Sequence, residues 1–326
     1  MSRWENANVL ITGGLGFIGS SLGIRLAALG ANVTALDSLT PEYGGNLKNL
    51  EGSDHLVRIN ISDVRDVHSL RYLVQGQDFL FNLAGQTSHL DSMHDPLTDL
   101  EINCRSQLSI LETCRSHNPK LRLVFASTRQ IYGRPDYLPV DELHPLRPVD
   151  VNGINKLAGE FYHLLYQQVY DIPTCVLRLT NTFGPRMRVK DARQTFVGIW
   201  IRRILEGQPF EVWGGEQLRD FTYVDDCVEA MLLAATHPNA IGKCFNLGGT
   251  EPVSLLKLAE TLVSANGGGS FVLKEFPAER KRIDIGHYYS DDRQIREELG
   301  WMPSVSLQDA LTRTLAYYRQ NLSSYL

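Results

Sequence analysis

Short apolar runs rich in β-branched and aromatic residues recur along the first half of the chain. They predict buried strands, and they are NVLIT (8–12), NVTALD (32–37), LVRI (56–59), DFLFNLA (78–84), LRLVFAS (121–127) and PTCVLRL (173–179). Amphipathic stretches of helical length separate these runs, among them 17–29, 97–116 and 154–170. Because strands that alternate with helices form parallel sheets, the pattern predicts a doubly wound α/β domain over residues 1–180.

The pattern changes after Asn181. A turn-forming GPRMR segment (184–188) is followed by a helical pattern at 194–205, a short FEVW strand (210–213) and helical patterns near 225–236, 254–265, 291–299 and 306–320. We therefore expect residues 181–326 to form mainly a smaller α/β substrate-binding lobe, from which segments near 220–250 return to the first domain.

Composition narrows the class of protein. The 326 residues are 43% hydrophobic and carry a net charge of −5, which predicts a soluble globular protein without a nucleic-acid partner. The five cysteines are scattered without C-x-x-C spacing, so neither a disulfide framework nor a metal site is expected. No signal peptide is evident, and no apolar stretch approaches the roughly 20 residues that span a bilayer. We expect a cytoplasmic protein that does not bind membranes.

The first predicted strand runs directly into TGGLGFIG (12–19) and then into a helix. Glycines at this spacing permit a tight turn and a close approach of the backbone to a pyrophosphate, and the helix N-terminus offers unpaired N–H donors. The candidate cofactor residues of this turn are Gly13, Gly16, Phe17, Ile18 and Gly19. The motif predicts a dinucleotide site.

Residues later in the chain extend this site. Asp37 ends the second strand, where its carboxylate can accept a hydrogen bond from an adenosine ribose and would repel a 2′-phosphate, so NAD is favoured over NADP. Asp63, beside Val64, could accept from the adenine amino group or could cap a helix. The small residues of Leu83-Ala84-Gly85 would let a cofactor lie close to the sheet, and Asn103 is a further possible contact.

With these motifs in place, the chain resembles the extended short-chain dehydrogenase/reductase family, specifically its NAD-dependent sugar-nucleotide epimerases and dehydratases. The resemblance covers essentially the whole chain and implies a Rossmann fold. It is carried by TGGLGFIG (12–19), Asp37, AGQTSHLDSMHDP (84–96), ASTRQIYG (126–133), NGINKLAGE (152–160), RLTNTFGPR (178–186) and LRDFTYVDD (218–226).

The resemblance implies catalytic roles. Thr128 matches the Ser or Thr that binds the sugar hydroxyl being oxidised, and Lys156 matches the lysine of a Tyr-x-x-x-Lys pair, which binds the nicotinamide ribose. Asn152 stands at the tyrosine position. An amide neither titrates near neutrality nor stores a proton, so the chain lacks the family's usual general base.

Four groups remain open as the replacement base. They are Asp150, Lys156 with a lowered pKa, Tyr132 and Tyr137.

The residues after Thr128 also depart from the family. Arg129 and Gln130 stand where the 4,6-dehydratases have an Asp-Glu pair, and the C5-decarboxylases commonly have a Glu at the second position. Elimination of water by the family mechanism is therefore not expected. Arg129 could pair with a carboxylate or phosphate of the substrate, or it could form a structural salt bridge.

Substrate contacts follow from the same resemblance. Asn181 matches an asparagine that contacts the diphosphate-sugar region, and Arg219 matches an arginine that binds the diphosphate. Arg282 lies near an Arg-x-x-Asp substrate clamp of the family. His89 could donate to a phosphate or a sugar hydroxyl, or it could be a loop histidine bonded to backbone. Trp213 is expected to be a packing or surface residue.

The leading hypothesis is an NAD-dependent epimerase of a nucleotide-activated sugar, similar to UDP-glucose 4-epimerase, which acts at C4 through a transient keto intermediate. An atypical dehydratase or oxidoreductase and a non-catalytic NAD or sugar-nucleotide sensor remain alternatives. The family resemblance also implies a homodimer formed through the helices at 97–116 and 154–170.

Overall fold

A central seven-stranded parallel sheet organises the structure, a computed structural model that describes residues 3–41, 43–193, 195–276 and 284–326. In chain order the strands are β1 (Asn8–Thr12), β2 (Asn32–Asp37), β3 (Val57–Ile61), β4 (Phe79–Asn82), β5 (Arg122–Thr128), β6 (Thr174–Leu179), β7 (Asn181–Phe183), β8 (Phe210–Trp213), β9 (Leu218–Arg219), β10 (Phe221–Tyr223), β11 (Cys244–Asn246), β12 (Val253–Ser254) and β13 (Phe271–Lys274). The sheet has the spatial order β3-β2-β1-β4-β5-β6-β11, so the chain winds outwards from β1 in both directions.

Helices cover both faces of this sheet. They are α1 (Phe17–Ala28), α2 (Val67–Leu73), α3 (His89–His94), α4 (Pro96–Leu100), α5 (Ser106–His117), α6 (Val151–Tyr170), α7 (Phe196–Leu205), α8 (Val224–Thr236), α9 (Leu255–Asn266), α10 (Arg293–Leu299) and α11 (Leu307–Asn321). Val9 and Ile11 of β1 pack into one apolar core with α1 and α8, whereas Leu10 packs into a second core with α2, α5 and α6. Because successive side chains of β1 point to opposite faces of the sheet, this strand contributes to both cores.

A smaller α/β lobe is built from later segments. The parallel strands β8 and β13 pair with each other, and α7, α9 and α11 pack beside them in a core that includes Trp200, Phe210 and Leu311. β11 pairs with β6, so the chain returns to the main sheet after leaving it. The predicted fold class, a doubly wound parallel sheet with a smaller C-terminal α/β lobe, is confirmed.

The predicted helix at 97–116 is interrupted. α4 ends at Leu100, a π-helical segment occupies Glu101–Arg105, and α5 begins at Ser106. Ser106 Oγ donates to Ile102 O at 2.6 Å, a local bond that amphipathic periodicity does not reveal. Within the part of the chain that the structure describes, no helix is both long and apolar enough to cross a membrane.

Candidate functional site

A glycine turn joins β1 to α1 at the carboxyl edge of the sheet. Gly13 has φ +68°, and a Cβ there would lie 3.0 Å from the backbone N of Ala84. A Cβ on Gly19 would lie 2.2 Å from the carbonyl O of Gly13. The N-cap of α1 is Gly16, which supplies no side-chain cap, so N–H groups of the first turn remain available to an anion. The turn therefore fits a pyrophosphate.

Asp37 lies at the end of β2 and lines the same cavity as this turn. Its Oδ2 accepts from Leu15 N at 3.1 Å and its Oδ1 from Leu39 N at 2.9 Å, which fixes the carboxylate. Burial raises the pKa of Asp37, although these backbone donors oppose the effect. A fixed carboxylate at this point suits the paired hydroxyls of an adenosine ribose.

The remaining wall of this cofactor cavity comes from the carboxyl ends of neighbouring strands and from α6. It contains the predicted cofactor residues Phe17, Ile18, Val64, Leu83, Ala84, Gly85 and Lys156 and the predicted catalytic residues Thr128 and Asn152. The apolar and small residues leave room for flat rings against the sheet. Ser127 Oγ on this wall is buried without a hydrogen-bond partner among the described residues, as expected for a site that binds a polar ligand. Asn103 Oδ1 is also unpartnered, but Asn103 does not line the cavity.

Asp63 has a different environment from the one predicted for it. Its carboxylate accepts from Arg65 Nε at 2.9 Å and lies 2.7 Å from Arg65 Nη2, and this pairing lowers the pKa of Asp63. Val64, not Asp63, lines the cavity. The carboxylate also accepts from Arg65 N at 2.8 Å, so its contacts are local, in line with the capping alternative for Asp63 and not with the adenine contact.

Lys156 lies on α6 with its ammonium group buried beside the cofactor cavity. Nζ donates to Ala126 O at 3.1 Å and lies 5.0 Å from the centre of the Phe125 ring. Burial lowers the pKa of Lys156 to about 8, an effect that the negative charge of Asp99 opposes. A Cβ on Gly85 would lie 3.1 Å from Nζ, so the lysine head reaches the backbone that follows β4.

Asn152 belongs to a buried cluster of amides around Asp99. Its Nδ2 donates to Gln86 O at 2.8 Å and to Asp99 Oδ2 at 3.1 Å. Asn155 and Asn103 also donate to the Asp99 carboxylate, at 2.8 and 3.0 Å. The Oδ1 of Asn152 receives no hydrogen bond from any described residue, so it can accept one from a hydroxyl in the cavity. It cannot take up a proton.

Tyr132 and Tyr137, the two tyrosines considered as the base, do not line the cofactor cavity. Tyr132 is buried, donates to Asn246 Oδ1 at 2.7 Å and accepts from Arg178 Nη1 at 2.6 Å, and burial raises its pKa. Tyr137 donates to Asp141 Oδ1 at 2.7 Å, and this bond raises the pKa of Tyr137 to about 12. Both phenols are engaged elsewhere, which excludes them as the base.

Asp150 caps α6 and does not line the cofactor cavity. Its Oδ1 accepts from Gly153 N at 2.7 Å, and its Oδ2 accepts from Gln130 Nε2 at 3.2 Å and lies 3.1 Å from His89 Nδ1. Burial raises the pKa of Asp150, but His89, the cap and Gln130 together lower it further, so its net pKa lies below the usual value. Direct contact between this carboxylate and a substrate, as predicted for Asp150, finds no support in its position.

A second cavity of ≈ 850 Å³ adjoins the cofactor cavity. The residues that line both cavities, here called the shared wall, are His89, Arg129, Gln130, Asn181 and Thr195. The predicted substrate residue Arg219 also lines the second cavity. The two cavities therefore form one continuous site in which a cofactor and a second ligand can meet.

Arg129 and Arg219 place two guanidinium groups in the second cavity, whose lining also includes Arg193, Arg203 and the carboxylates of Asp91, Glu211 and Asp284. Arg129 Nη2 donates to Asn181 Oδ1 at 3.0 Å, and burial lowers the pKa of Arg129. Arg219 Nη2 lies 3.5 Å from Asp284 Oδ1, and burial together with the nearby Arg129 charge lowers the pKa of Arg219 to about 10. Two buried guanidinium groups with a single long carboxylate contact suit a diphosphate.

Arg282 and Trp213 are the remaining residues for which the sequence analysis made a prediction. Arg282 lies outside the described residues. Trp213, which was expected to be a packing or surface residue, lines the second cavity together with other aromatic residues. Sequence reasoning missed the aromatic wall of this cavity, formed by Phe196, Trp200, Phe210, Trp213 and Phe276. Two local signals were the four-residue spacing of Phe196 and Trp200 in one helix and the aromatic residues of FEVW.

The fold and the site define a dinucleotide-dependent enzyme of the Rossmann type with an adjoining anion-binding cavity. The chain belongs to the NAD dependent epimerase/dehydratase family, whose model matches residues 9–248. NAD is therefore its cofactor, in agreement with the glycine turn and with Asp37.

Full-length relatives support this assignment. The chain is 31% identical over 315 residues to a putative UDP-glucose 4-epimerase of Methanocaldococcus jannaschii, covering 96% of this chain and 99% of the relative. It is 31% identical over 332 residues to UDP-glucuronic acid decarboxylase 1 of Xenopus tropicalis, covering 99% and 74%. The solved UDP-glucose 4-epimerase of Thermotoga maritima with UDP-glucose superposes with a TM-score of 0.88 at 29% identity, covering 97% of this chain and 99% of that chain.

Proposed function

We propose that the protein is a 4-epimerase of a nucleotide-activated sugar that acts through a transient ketone. The observation that carries the proposal is the shared wall, where a cavity suited to NAD opens into a cavity suited to a sugar diphosphate. Thr128 and Lys156 line the cofactor cavity near this opening, as transient oxidation of an alcohol requires. Relatives named as UDP-glucose 4-epimerases support the same reaction.

The chain's own groups divide the chemical work. When bound, NAD supplies a hydride acceptor that returns the same hydride at the end of the cycle. Thr128 orients the reacting hydroxyl of the sugar, and the Asn152 carbonyl oxygen offers a further acceptor. Lys156 holds the nicotinamide ribose, and below pH 8 its charge favours loss of a proton from a neighbouring hydroxyl.

The substrate side positions the sugar. Arg129 and Arg219 bind the diphosphate, and the aromatic wall of the second cavity excludes water from the sugar. Epimerisation requires the keto sugar to present its other face before hydride returns, so the sugar ring must turn while the diphosphate stays bound. A cavity of ≈ 850 Å³ leaves space for this rotation.

Dehydration and decarboxylation are less well supported than epimerisation. The positions that follow Thr128 hold Arg129 and Gln130, which offer a cation and an amide where elimination needs an acid and a base. Asn152 adds no acid to the site. Epimerisation needs none of these carboxyl groups, because hydride and proton both return to the sugar.

The test is turnover of a panel of UDP-, GDP-, CDP- and dTDP-sugars by purified protein with NAD in deuterated water, followed by NMR. We expect one sugar to equilibrate with its C4 epimer, with no deuterium at C4 and no accumulation of NADH. A 4-keto-6-deoxy product would indicate a dehydratase, and accumulating NADH would indicate a net oxidoreductase. Substrate binding without any turnover across the panel would indicate a sensor. Each of these three results would overturn the proposal.

We also propose that the protein is a homodimer formed through the helices at 97–116 and 154–170. The outer side of α6 exposes Ile154, Phe161, Leu165 and Val169, whose spacings of seven, four and four residues place them on one apolar stripe. Light scattering coupled to gel filtration should give twice the chain mass of 36.6 kDa. Phe161→Glu should yield a monomer, whereas a monomeric wild type would contradict the proposal.

A further inference from the structure

His89 begins α3 and stands on the shared wall, where the two cavities meet. The other members of that wall are an arginine, two amides and a threonine, none of which exchanges a proton near neutral pH. His89 is the one residue of the shared wall with a side chain suited to proton transfer there. Its side chain is 37% exposed, so the ring is accessible from the site.

The Asp150 carboxylate lies beside one edge of this imidazole ring. His89 Nδ1 is buried and lies 3.1 Å from Asp150 Oδ2, although the ring N–H does not point along the line that joins these atoms. The Asp150 side chain has no exposed surface and is itself anchored by Gly153 N and Gln130 Nε2. A fixed carboxylate favours the tautomer with the proton on Nδ1.

The opposite edge of the ring carries Nε2, for which no described residue is a hydrogen-bond partner. Because Nδ1 is buried, the exposed part of the ring lies on the edge that carries Nε2. With the proton held on Nδ1, Nε2 is an unprotonated acceptor on the cofactor cavity, which Thr128 also lines. This atom can take a proton that Asn152 cannot.

We propose that His89, oriented by Asp150, is the proton carrier that replaces the family tyrosine. The proposal rests on the proposed function. As the sugar O–H bond breaks, its proton passes to His89 Nε2, the C–H bond gives up a hydride to the acceptor that NAD would supply when bound, and the C=O bond forms. The proton and hydride return to the ketone after the sugar has turned, so neither a proton nor electrons are gained or lost over the cycle.

Other titratable groups around the site are less suited to this role. Lys156 Nζ donates to Ala126 O and is required at the cofactor ribose. Tyr43, which also lines the cofactor cavity, follows β2 on the Asp37 side. Asp91, on the same helix as His89, lies 3.3 Å from Arg193 Nε. The charged groups that face His89 from the neighbouring elements are therefore Asp150 and Lys156 of α6, Arg129 after β5, and the Asp91–Arg193 pair.

His89→Gln tests the proton step, because glutamine keeps a polar side chain but cannot carry a proton. We expect kcat to fall by about 100-fold or more while KM and NAD affinity change little. His94→Gln on the same helix is the matched control, because His94 is exposed, and it should leave kcat unchanged. In His89→Ala, added imidazole should restore part of kcat, which a merely structural role would not allow. A His89→Gln enzyme with wild-type kcat would overturn the proposal.

Asp150→Asn tests the orienting contact independently of turnover. Ring ¹⁵N chemical shifts of His89 in NAD-loaded protein should report the Nδ1–H tautomer in the wild type and a different tautomer mixture in Asp150→Asn. The same change should lower kcat by about tenfold or more and alter the pH profile of kcat. If no sugar is turned over by the wild type, the proposed function fails, and unchanged ¹⁵N shifts in Asp150→Asn would separately refute the His89–Asp150 pairing.

Discussion

Lys156→Met should inactivate the enzyme and yet make the apoprotein more stable at neutral pH. The ammonium group is buried, and its pKa falls from the usual 10.5 to about 8 because burial disfavours the charge. At about 1.36 kcal/mol for each tenfold change in proton affinity, this burial costs about 3 kcal/mol of folding free energy. Methionine avoids that cost and fits against the Phe125 ring, but it leaves Ala126 O without its donor, which costs about 1 kcal/mol. We expect a net gain of about 2 kcal/mol.

The pH dependence gives the sharper test. A lysine whose pKa is lower in the folded state than in the unfolded state destabilises the protein fully below pH 8, and the penalty disappears as the pH rises towards 10.5. The advantage of Lys156→Met should therefore be largest at neutral pH and shrink above pH 8. Urea denaturation of NAD-free protein, followed by circular dichroism over this pH range, measures it.

Lys257 on α9 provides the matched control. Its side chain is 66% exposed and lies 4.0 Å from Glu260, so Lys257→Met should change stability by less than about 0.5 kcal/mol at every pH. A Lys156→Met protein that is less stable than the wild type at pH 7, or one whose advantage is the same at pH 7 and pH 10, would refute the reasoning.

Three further predictions concern the site. Asn152→Tyr should not raise kcat and should cost about 2 kcal/mol or more of stability, because the larger ring displaces an amide that donates to the buried Asp99 carboxylate. Turnover assays measure the first effect and urea denaturation the second, and a sharp rise in activity would contradict the prediction. Gly19→Ala should weaken NAD binding by about tenfold or more, because its Cβ would lie 2.2 Å from a carbonyl oxygen of the turn. In the control Gly23→Ala the Cβ meets ordinary contacts from 3.6 Å outwards, so fluorescence titration should give wild-type NAD affinity. Arg219→Ala should weaken UDP binding by about 10–100-fold while NAD affinity stays unchanged, as calorimetry can measure; equal losses for both ligands would indicate a structural role.

Six of the seven strands of the main sheet and the glycine turn could be predicted because their determinants are local, whereas the three-residue strand β11 was not predicted. Alternating apolar runs define strands over a few residues, and a turn with φ +68° at Gly13 needs its glycine whatever surrounds it. The position of Asn152 relative to Lys156 was also readable, since one helix carries both. The break at Glu101–Arg105 was not, because hydrophobic periodicity does not distinguish an α-helical turn from a π-helical one.

The amino-acid sequence by itself determined the fold class, the NAD turn and the absence of a tyrosine base, since each depends on residues close together in the chain. Only the tertiary structure decided which side chains meet. Asp63 pairs with Arg65, and Tyr132 is buried in an apolar core. Asp150 on α6 lies close to His89 on α3, which belongs to the shared wall. Such pairings depend on how separate elements pack across the sheet edge, and it is burial in that packing that changes the chemistry of each group.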